Sequence, residues 1–206
     1  MTTKKALARL LAGTAITTFA LVGCASGNDT SAPGAASGGS ASSAAAQGQF
    51  NDADVAFAQG MIPHHRQAVA MAELAAGRTE TPQVLDLAAR IGGAQEPEIT
   101  TMTAWLQEWG AEVPAENGMG GMDGMDHSGM GGMMTPEQMS ALQQASGAEF
   151  DRMFLEMMVE HHRGAVEMAQ TEIEEGSDPE ALALAQEIVD AQQAEISEME
   201  SLLQGA

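Results

Sequence analysis

The chain has 206 residues, with 29 acidic and eight basic side chains, five histidines and a formal charge of −21 at pH 7. So negative a surface repels nucleic acid and anionic lipid headgroups and attracts cations. The alternative is that the charge serves only to keep the protein soluble. A single cysteine excludes an internal disulfide and a thiolate metal cage, and the absence of tyrosine argues against a stacking platform for bases or sugars.

The N-terminus has the features of a secretory signal. Lys4, Lys5 and Arg9 precede an apolar run from Leu10 to Val22, which ends at Gly23-Cys24. A cysteine after a small residue resembles the lipobox of bacterial lipoproteins, and about 13 apolar residues are few for a transmembrane span. We predict a signal peptide over residues 1–23 and lipidation of Cys24, which would anchor the chain at the extracytoplasmic face of the cell membrane, on the cell surface or in the periplasm.

A composition change separates a tether from a folded domain. Residues 24–49 are mostly Gly, Ala and Ser, typical of a flexible tether, and helix-forming residues dominate over 50–206. After Cys24 the chain has 29 acidic residues against five arginines and no lysine, a net charge of −24. About 157 residues suffice for one compact domain.

That domain is an internal duplication. Shifted by 97 positions, residues 54–107 align without a gap on residues 151–204, and 22 of the 54 positions are identical. Each repeat predicts two helices, the first over about 52–76 and about 147–175, and the second opening at Thr81-Pro82 and Asp178-Pro179. Two helical hairpins around one core predict an all-α, four-helix bundle.

The repeated residues occupy one face of the first helix in each repeat. At about 100° per residue they fall within an arc of about 120°, while Arg66 points away. Core packing is the ordinary explanation for methionines at this spacing, but four buried histidines without partners would be costly. The candidate metal ligands are Met61, His64, His65, Met71, Met158, His161, His162 and Met168.

Thioether and imidazole ligands favour copper, particularly Cu(I), and Ag(I) by the same softness. Di-iron bundles need Glu-x-x-His, and no histidine here has an acidic residue three positions before it. Zinc is compatible with the histidines but gives no reason for the methionines. Pro63 has Glu160 as its counterpart, which either adds a carboxylate ligand on one side or only reshapes a helix.

A second soft-ligand segment lies between the repeats. Residues 114–134 are rich in glycine and methionine, and glycine at this density does not hold a helix. A low-complexity linker explains the glycines, whereas a metal-capturing arm explains the methionines as well. The candidate ligands here are Met119, Met122, Met125, His127, Met130, Met133 and Met134.

The blocks FAQGMIPHHRQAVAMAE and FLEMMVEHHRGAVEMAQ resemble the bacterial family catalogued as domain of unknown function 305. The resemblance covers about residues 50–206. It implies a ferritin-like four-helix bundle, secretion or lipid anchoring, and copper binding outside the cytoplasm by the eight histidine and methionine ligands of the repeats.

We therefore predict a lipid-anchored copper-binding protein that sequesters or delivers copper and has no catalytic activity of its own. Its predicted partners are metal ions, the membrane through Cys24 and a copper-donor or copper-acceptor protein, and a homo-oligomer is compatible with the sequence. A metal-dependent oxidase in the same bundle and a structural or partner-binding lipoprotein are the alternatives.

Overall fold

The computed structural model describes residues 50–115 and 131–205, which form five helices and no strand. The predicted signal peptide, the tether and residues 116–130 of the Met/Gly-rich segment lie outside the described residues. The helices are α1 (Asp52–Ala75), α2 (Pro82–Trp109), α3 (Pro136–Gln144), α4 (Gly147–Glu175) and α5 (Pro179–Gly205).

The predicted four-helix bundle is confirmed. Helices α1 and α2 form one hairpin, α4 and α5 form the other, and α1 packs against α4. Within the described ranges, each helix falls short of the length or the apolar character that a membrane span requires.

Helix α3 is an element that the sequence analysis missed. The Thr135 hydroxyl accepts from the Gln138 backbone N–H while the Gln138 side chain accepts from the Thr135 N–H, and Pro136 occupies the first turn. Thr-Pro had been recognised at Thr81-Pro82, so the same signal was present and was obscured by the methionines before it.

The two hairpins hold each other through one repeated aspartate. Asp54 of α1 accepts from the backbone N–H groups of Ser177 (3.0 Å) and Asp178 (2.9 Å) in the loop between α4 and α5. Its counterpart Asp151 of α4 accepts from the Thr81 hydroxyl in the loop between α1 and α2. The start of each first helix therefore meets the loop of the other repeat. Helices α1 and α4 are accordingly antiparallel, with a pseudo-twofold axis between them.

The core consists of two apolar halves. One half joins the end of α1, the start of α2, α3, the start of α4 and the end of α5, and it contains Met71 and Met158. The other joins the start of α1, the end of α2, the end of α4 and the start of α5, and it contains Met61 with Met168 packed against it. Burial of each large side chain contributes about 1.5–3 kcal/mol, so these halves hold the bundle together. On both α1 and α4, the histidines lie between the residues that belong to one apolar half and those that belong to the other.

Glu172 is a buried carboxyl at the end of α4, 1% exposed. Neither of its oxygens meets an N–H or O–H donor among the described residues, and Asp54 is within hydrogen-bonding reach. Burial, and after it the neighbouring Asp54, raises the pKa of Glu172 to about 8. Glu172 therefore carries a proton at neutral pH and donates it to Asp54.

This proton makes stability pH-dependent. The folded chain holds the Glu172 proton above the ordinary pKa of 4.5, so stability falls as the pH rises from there to about 8. Glu172→Gln, which cannot ionise, should be more stable than the parent at pH 8 by about 2 kcal/mol, and nearly equal at pH 4.5. Denaturant unfolding at several pH values measures this. Glu174→Gln on the exposed side is the control, and an identical pH dependence in E172Q and the parent would contradict the assignment.

Candidate metal centre

Four histidines form a buried layer at the centre of the bundle, which we call the histidine layer: His64 and His65 on α1, His161 and His162 on α4. Their exposure is between 0% and 1%. The rings of His64 and His161 meet across the pseudo-twofold axis, with centroids 3.8 Å apart and planes inclined by 42°. The centroid of His162 lies 6.5 Å from that of His161.

Each outer histidine is held by a carboxylate from the second helix of its own hairpin. His65 Nε2 donates to Glu98 Oε2 at 2.6 Å, and His162 Nε2 donates to Glu195 Oε2 at 2.8 Å. The four residues are related by the 97-residue repeat, so one hydrogen bond occurs twice. Both carboxylates are mostly buried, with side chains 20% and 15% exposed.

These contacts determine which ring nitrogen carries hydrogen. A carboxylate accepts only, so Nε2 of His65 and of His162 must carry the hydrogen. His64 Nε2 lies 3.2 Å from the carbonyl oxygen of Gly131, which also accepts only. Each of these three histidines therefore uses Nε2 for a hydrogen bond and leaves Nδ1 as its remaining ring nitrogen. A histidine that binds metal through one nitrogen commonly has the other oriented by a second group in this way.

The remaining ring nitrogens are buried. Nδ1 of all four histidines, and also Nε2 of His161, have no hydrogen-bond partner among residues 50–115 and 131–205. Burial, and after it the neighbouring His65, lowers the pKa of His64 to about 3. Burial, and then His64, depress the pKa of His161 well below its ordinary value. Both rings are neutral at neutral pH, so one nitrogen of each ring has a lone pair that can coordinate a cation.

Two buried glutamines lie one helical turn from the carboxylates that hold the outer histidines. Gln95 of α2 and its repeat counterpart Gln192 of α5 are 3% and 4% exposed, and neither Oε1 has a partner in the described part of the chain. Each lies three residues before the carboxylate that holds a histidine. An unsatisfied buried polar atom costs roughly 1–3 kcal/mol, so each of these glutamine oxygens and histidine nitrogens lowers the stability of the metal-free fold. A ligand that accepts these lone pairs would offset that cost.

The methionines lie on both sides of the histidine layer. Met61, Met71 and Met158 are fully buried. Met168 is half-buried, and its sulfur lies against Gly60 of α1. Met61 and Met168 belong to one apolar half, and Met71 and Met158 belong to the other. The eight predicted ligands therefore divide into four central histidines and two flanking methionine pairs.

The described histidines and carboxylates do not form a cage. No three His, Cys, Asp or Glu side chains within residues 50–115 and 131–205 are placed to share one ion. Zinc and iron sites need three or four such ligands, whereas Cu(I) is also satisfied by imidazole with thioether sulfur. The donor set present fits a soft monovalent ion better than a hard divalent one.

The asymmetry between Pro63 and Glu160 has no direct effect on the histidine layer. Helix α1 continues through Pro63. The Glu160 carboxylate is 61% exposed and pairs with Arg163, one turn along the surface of α4. Glu160 is therefore turned away from the histidines and is not placed as a ligand.

The predicted Met/Gly-rich ligands fall into two groups. Met133 is half-buried, and Met134 is 9% exposed and packs in the apolar half that contains Met71. A buried Met134 acts in this arrangement as a core residue. The remaining candidates lie outside the described residues: Met119, Met122, Met125, His127 and Met130.

The carboxylates Glu98 and Glu195 are functional candidates that the sequence analysis missed. An acidic residue three positions before a histidine is a signal within one helix, whereas these carboxylates reach the rings from the neighbouring helix of the hairpin. Their signal was present, because both recur under the 97-residue shift, on a helix face that is apolar apart from them and the repeated Gln95 and Gln192.

Comparison with known proteins bears on the same part of the chain. The family model described as "Domain of unknown function (DUF305)" matches residues 54–203. No curated protein matches the chain significantly.

Solved structures of that family are similar in fold and sequence. A DUF305 protein from Streptomyces coelicolor, described as secreted, is 34% identical with a TM-score of 0.66, over 74% of this chain and 93% of that one. A DUF305 fragment from Deinococcus radiodurans is 30% identical with a TM-score of 0.66, over 76% and 98%. The protein CopM in its Cu(II)-bound form is 37% identical with a TM-score of 0.63, over 74% and 96%. CopM structures also include Cu(I)-bound, Ag-bound and apo forms.

Proposed function

The chain belongs to the DUF305 family, and from that membership we propose that it is an extracytoplasmic, lipid-anchored protein that binds copper in its histidine layer. The observation that carries the proposal is the set of buried, unpartnered Nδ1 atoms on histidines whose Nε2–H groups are already held. The copper and silver forms of CopM support the choice of metal, and the sequence of residues 1–24 supports the location.

Cu(I) and Ag(I) suit the site electrostatically. The rings of His64 and His161 and the thioethers are neutral ligands, so a monovalent ion would bring one positive charge into the centre of the bundle. Glu98 and Glu195 lie within hydrogen-bonding distance of the outer rings and supply negative charge close to that ion. Cu(II), which accepts imidazole and harder ligands, would draw more on the histidines and carboxylates.

Sequestration or delivery is the role that this chemistry favours. The site is enclosed, and the acidic surface raises the local concentration of cations around it. A protein tethered by Cys24 would hold copper at the outer face of the membrane, for tolerance or for transfer to an acceptor protein.

The proposal is tested by copper analysis of the full chain purified without chelators from copper-supplemented medium, followed by competition with a Cu(I) chelator. Bound copper that withstands the chelator supports the proposal. Metal-free protein with no measurable affinity would instead favour a structural or partner-binding lipoprotein.

The orienting carboxylates give a sharper prediction. Glu98→Gln combined with Glu195→Gln should lower Cu(I) affinity about 10–100-fold, because an amide no longer demands Nε2–H and removes negative charge beside the ion. The same competition assay measures the change. The double variant Glu96→Gln, Glu187→Gln removes two exposed carboxylates from α2 and α5 and should leave the affinity unchanged. Equal losses of Cu(I) affinity in both double variants would mean that the carboxylates act only through the net charge of the protein.

A metal-dependent oxidase is the second candidate, because two carboxylate–histidine pairs lie around the same centre. Oxidation of Cu(I) by the purified protein under air distinguishes the two functions. Turnover beyond one equivalent per site would favour the oxidase, and a single equivalent retained on the protein would favour the carrier.

A further inference from the structure

One short segment lies against the histidine layer on the side where α1 faces α4. It comprises residues Gly131–Met134, the end of the connection between the repeats, and we call it the strap. Gly131 places its carbonyl oxygen 3.2 Å from His64 Nε2. The strap thereby touches the same ring that pairs with His161.

Helix α1 grips the strap through Gln67. The Gln67 Nε2 donates to the Met134 carbonyl at 2.9 Å, and the Met134 N–H donates to Gln67 Oε1 at 2.7 Å. Gln67 is 4% exposed, so both hydrogen bonds are shielded from water. One amide side chain thus holds both backbone groups of one strap residue.

Helix α4 makes room for the strap through Gly164. A Cβ at Gly164 would collide with the carbonyl group of Gly131. Gly132 has φ +82°, and a Cβ there would collide with the Glu160 carbonyl and lie 3.1 Å from the His161 Cα. The strap backbone is therefore pressed onto α4 at the level of His161, where only glycines fit.

Gln67 and Gly164 are the same position of the two repeats, separated by 97 residues, and they differ where the flanking residues are identical. The strap lies on the pseudo-twofold axis between α1 and α4, so a single segment meets both helices with different atoms. In the first repeat, Gln67 forms hydrogen bonds with the strap, and in the second repeat, Gly164 leaves the space that the strap backbone occupies. This departure from symmetry has no role in metal ligation itself.

We propose that Gln67 and Gly164 form a dock for the strap, and that undocking of the strap limits the rate at which metal enters and leaves the histidine layer. The inference rests on the proposed copper binding and adds the route of exchange. Elsewhere the layer is enclosed by long helices joined through two apolar halves. The strap is held by two hydrogen bonds and a glycine contact, so it opens at the lowest cost.

Two variants undock the strap by different means. Gln67→Ala removes both hydrogen bonds, and Gly164→Ala fills the space of the Gly131 carbonyl while placing a better helix former in α4. Each is made in the full chain, loaded with Cu(I) and mixed with excess chelator under anaerobic conditions. We expect release from the bundle to accelerate about tenfold or more in both variants. Hydrogen exchange at the Met134 amide reports directly whether the strap has left its dock.

Matched controls exist for both changes. Gln59→Ala removes a similar hydrogen bond from a glutamine to a loop carbonyl, that of Glu112, away from the histidine layer. Gly93→Ala adds a Cβ to helix α2 with no atom within 4 Å among the described residues. Both controls should release Cu(I) at the parent rate.

The outcomes separate the two proposals. Faster release with loss of Met134 protection in Q67A and G164A supports the strap as the route. If the Met134 amide loses protection but Cu(I) is released at the parent rate, the strap is not the route. Retained protection of the Met134 amide in both variants also contradicts the docking contacts. Neither outcome affects the proposal that the protein binds copper. A parent protein that binds no Cu(I) overturns the proposed function itself.

Discussion

Replacing His64 and His161 together by alanine should abolish the tightest class of Cu(I) and Ag(I) sites in the full chain. The two rings meet at the centre of the histidine layer, and the double change removes their nitrogens without touching Glu98, Glu195 or the methionine pairs. Changes to orienting groups alone typically cost 10–100-fold, so loss of two ligands should lower the affinity by at least about 100-fold. Competition with a Cu(I) chelator measures it.

The matched control lies in the same repeated block. Arg66 and Arg163 are also identical between repeats, but Arg66 bonds to the Pro114 and Ala115 carbonyls and Arg163 to Glu160 and Glu200. Arg66→Ala with Arg163→Ala should leave the affinity near the parent value. An H64A/H161A protein with parental affinity would rule out the bundle site and leave the Met/Gly-rich segment as the copper ligand.

Replacing His161 by leucine should make the metal-free protein more stable. His161 is 1% exposed, and neither of its ring nitrogens has a partner in the described residues, so the ring carries a desolvation cost without compensation. An apolar side chain of similar size removes that cost, for a gain of about 1–3 kcal/mol in the free energy of unfolding. Denaturant unfolding with a chelator present measures the gain.

With silver bound, the parent should be more stable than H161L. Ag(I) at about 1,000 times its dissociation constant stabilises a protein that binds it by about 4 kcal/mol, and H161L should gain much less. His162→Leu is the contrasting variant, because it leaves Glu195 without the ring that donates to it and should be destabilising even without metal. A metal-free H161L protein less stable than the parent would show that the His161 nitrogens are satisfied in solution and carry no cost.

The stability of this bundle and the proposed copper binding therefore oppose each other at the histidine layer. The two apolar halves bury the side chains that stabilise the fold, whereas the histidine layer between them buries polar atoms without partners and lowers the stability of the metal-free protein. Residues retained at such a cost are those that a ligand would use.

Much of the fold was predictable because the duplication made the pattern visible twice. Pro82 and Pro179 mark the starts of α2 and α5 as predicted, and the apolar stripes set their buried faces. Of the two predicted N-cap side chains, Asp178 caps its helix, whereas the Thr81 hydroxyl donates to Asp151 instead. The central position of the histidines followed from the same periodicity. That His64 would meet His161, rather than another residue of the face, required the antiparallel arrangement of α1 and α4.

The residues that were missed act between helices. Glu98 contacts His65 across a hairpin, 33 positions along the chain, and no spacing rule on one helix reports such a contact. Gln67 and Gly164 differ between the repeats, and their purpose is visible only once the strap lies between them. Periodicity identifies which face is buried, whereas hydrogen bonds across the core depend on packing.

The most direct test of the central claim is a crystal structure of the Cu(I)-loaded full chain with anomalous data collected at the copper edge. Copper binding in the histidine layer predicts an anomalous peak beside His64 and His161, between the two apolar halves. A protein that binds Cu(I) but shows no copper at this level would contradict the account.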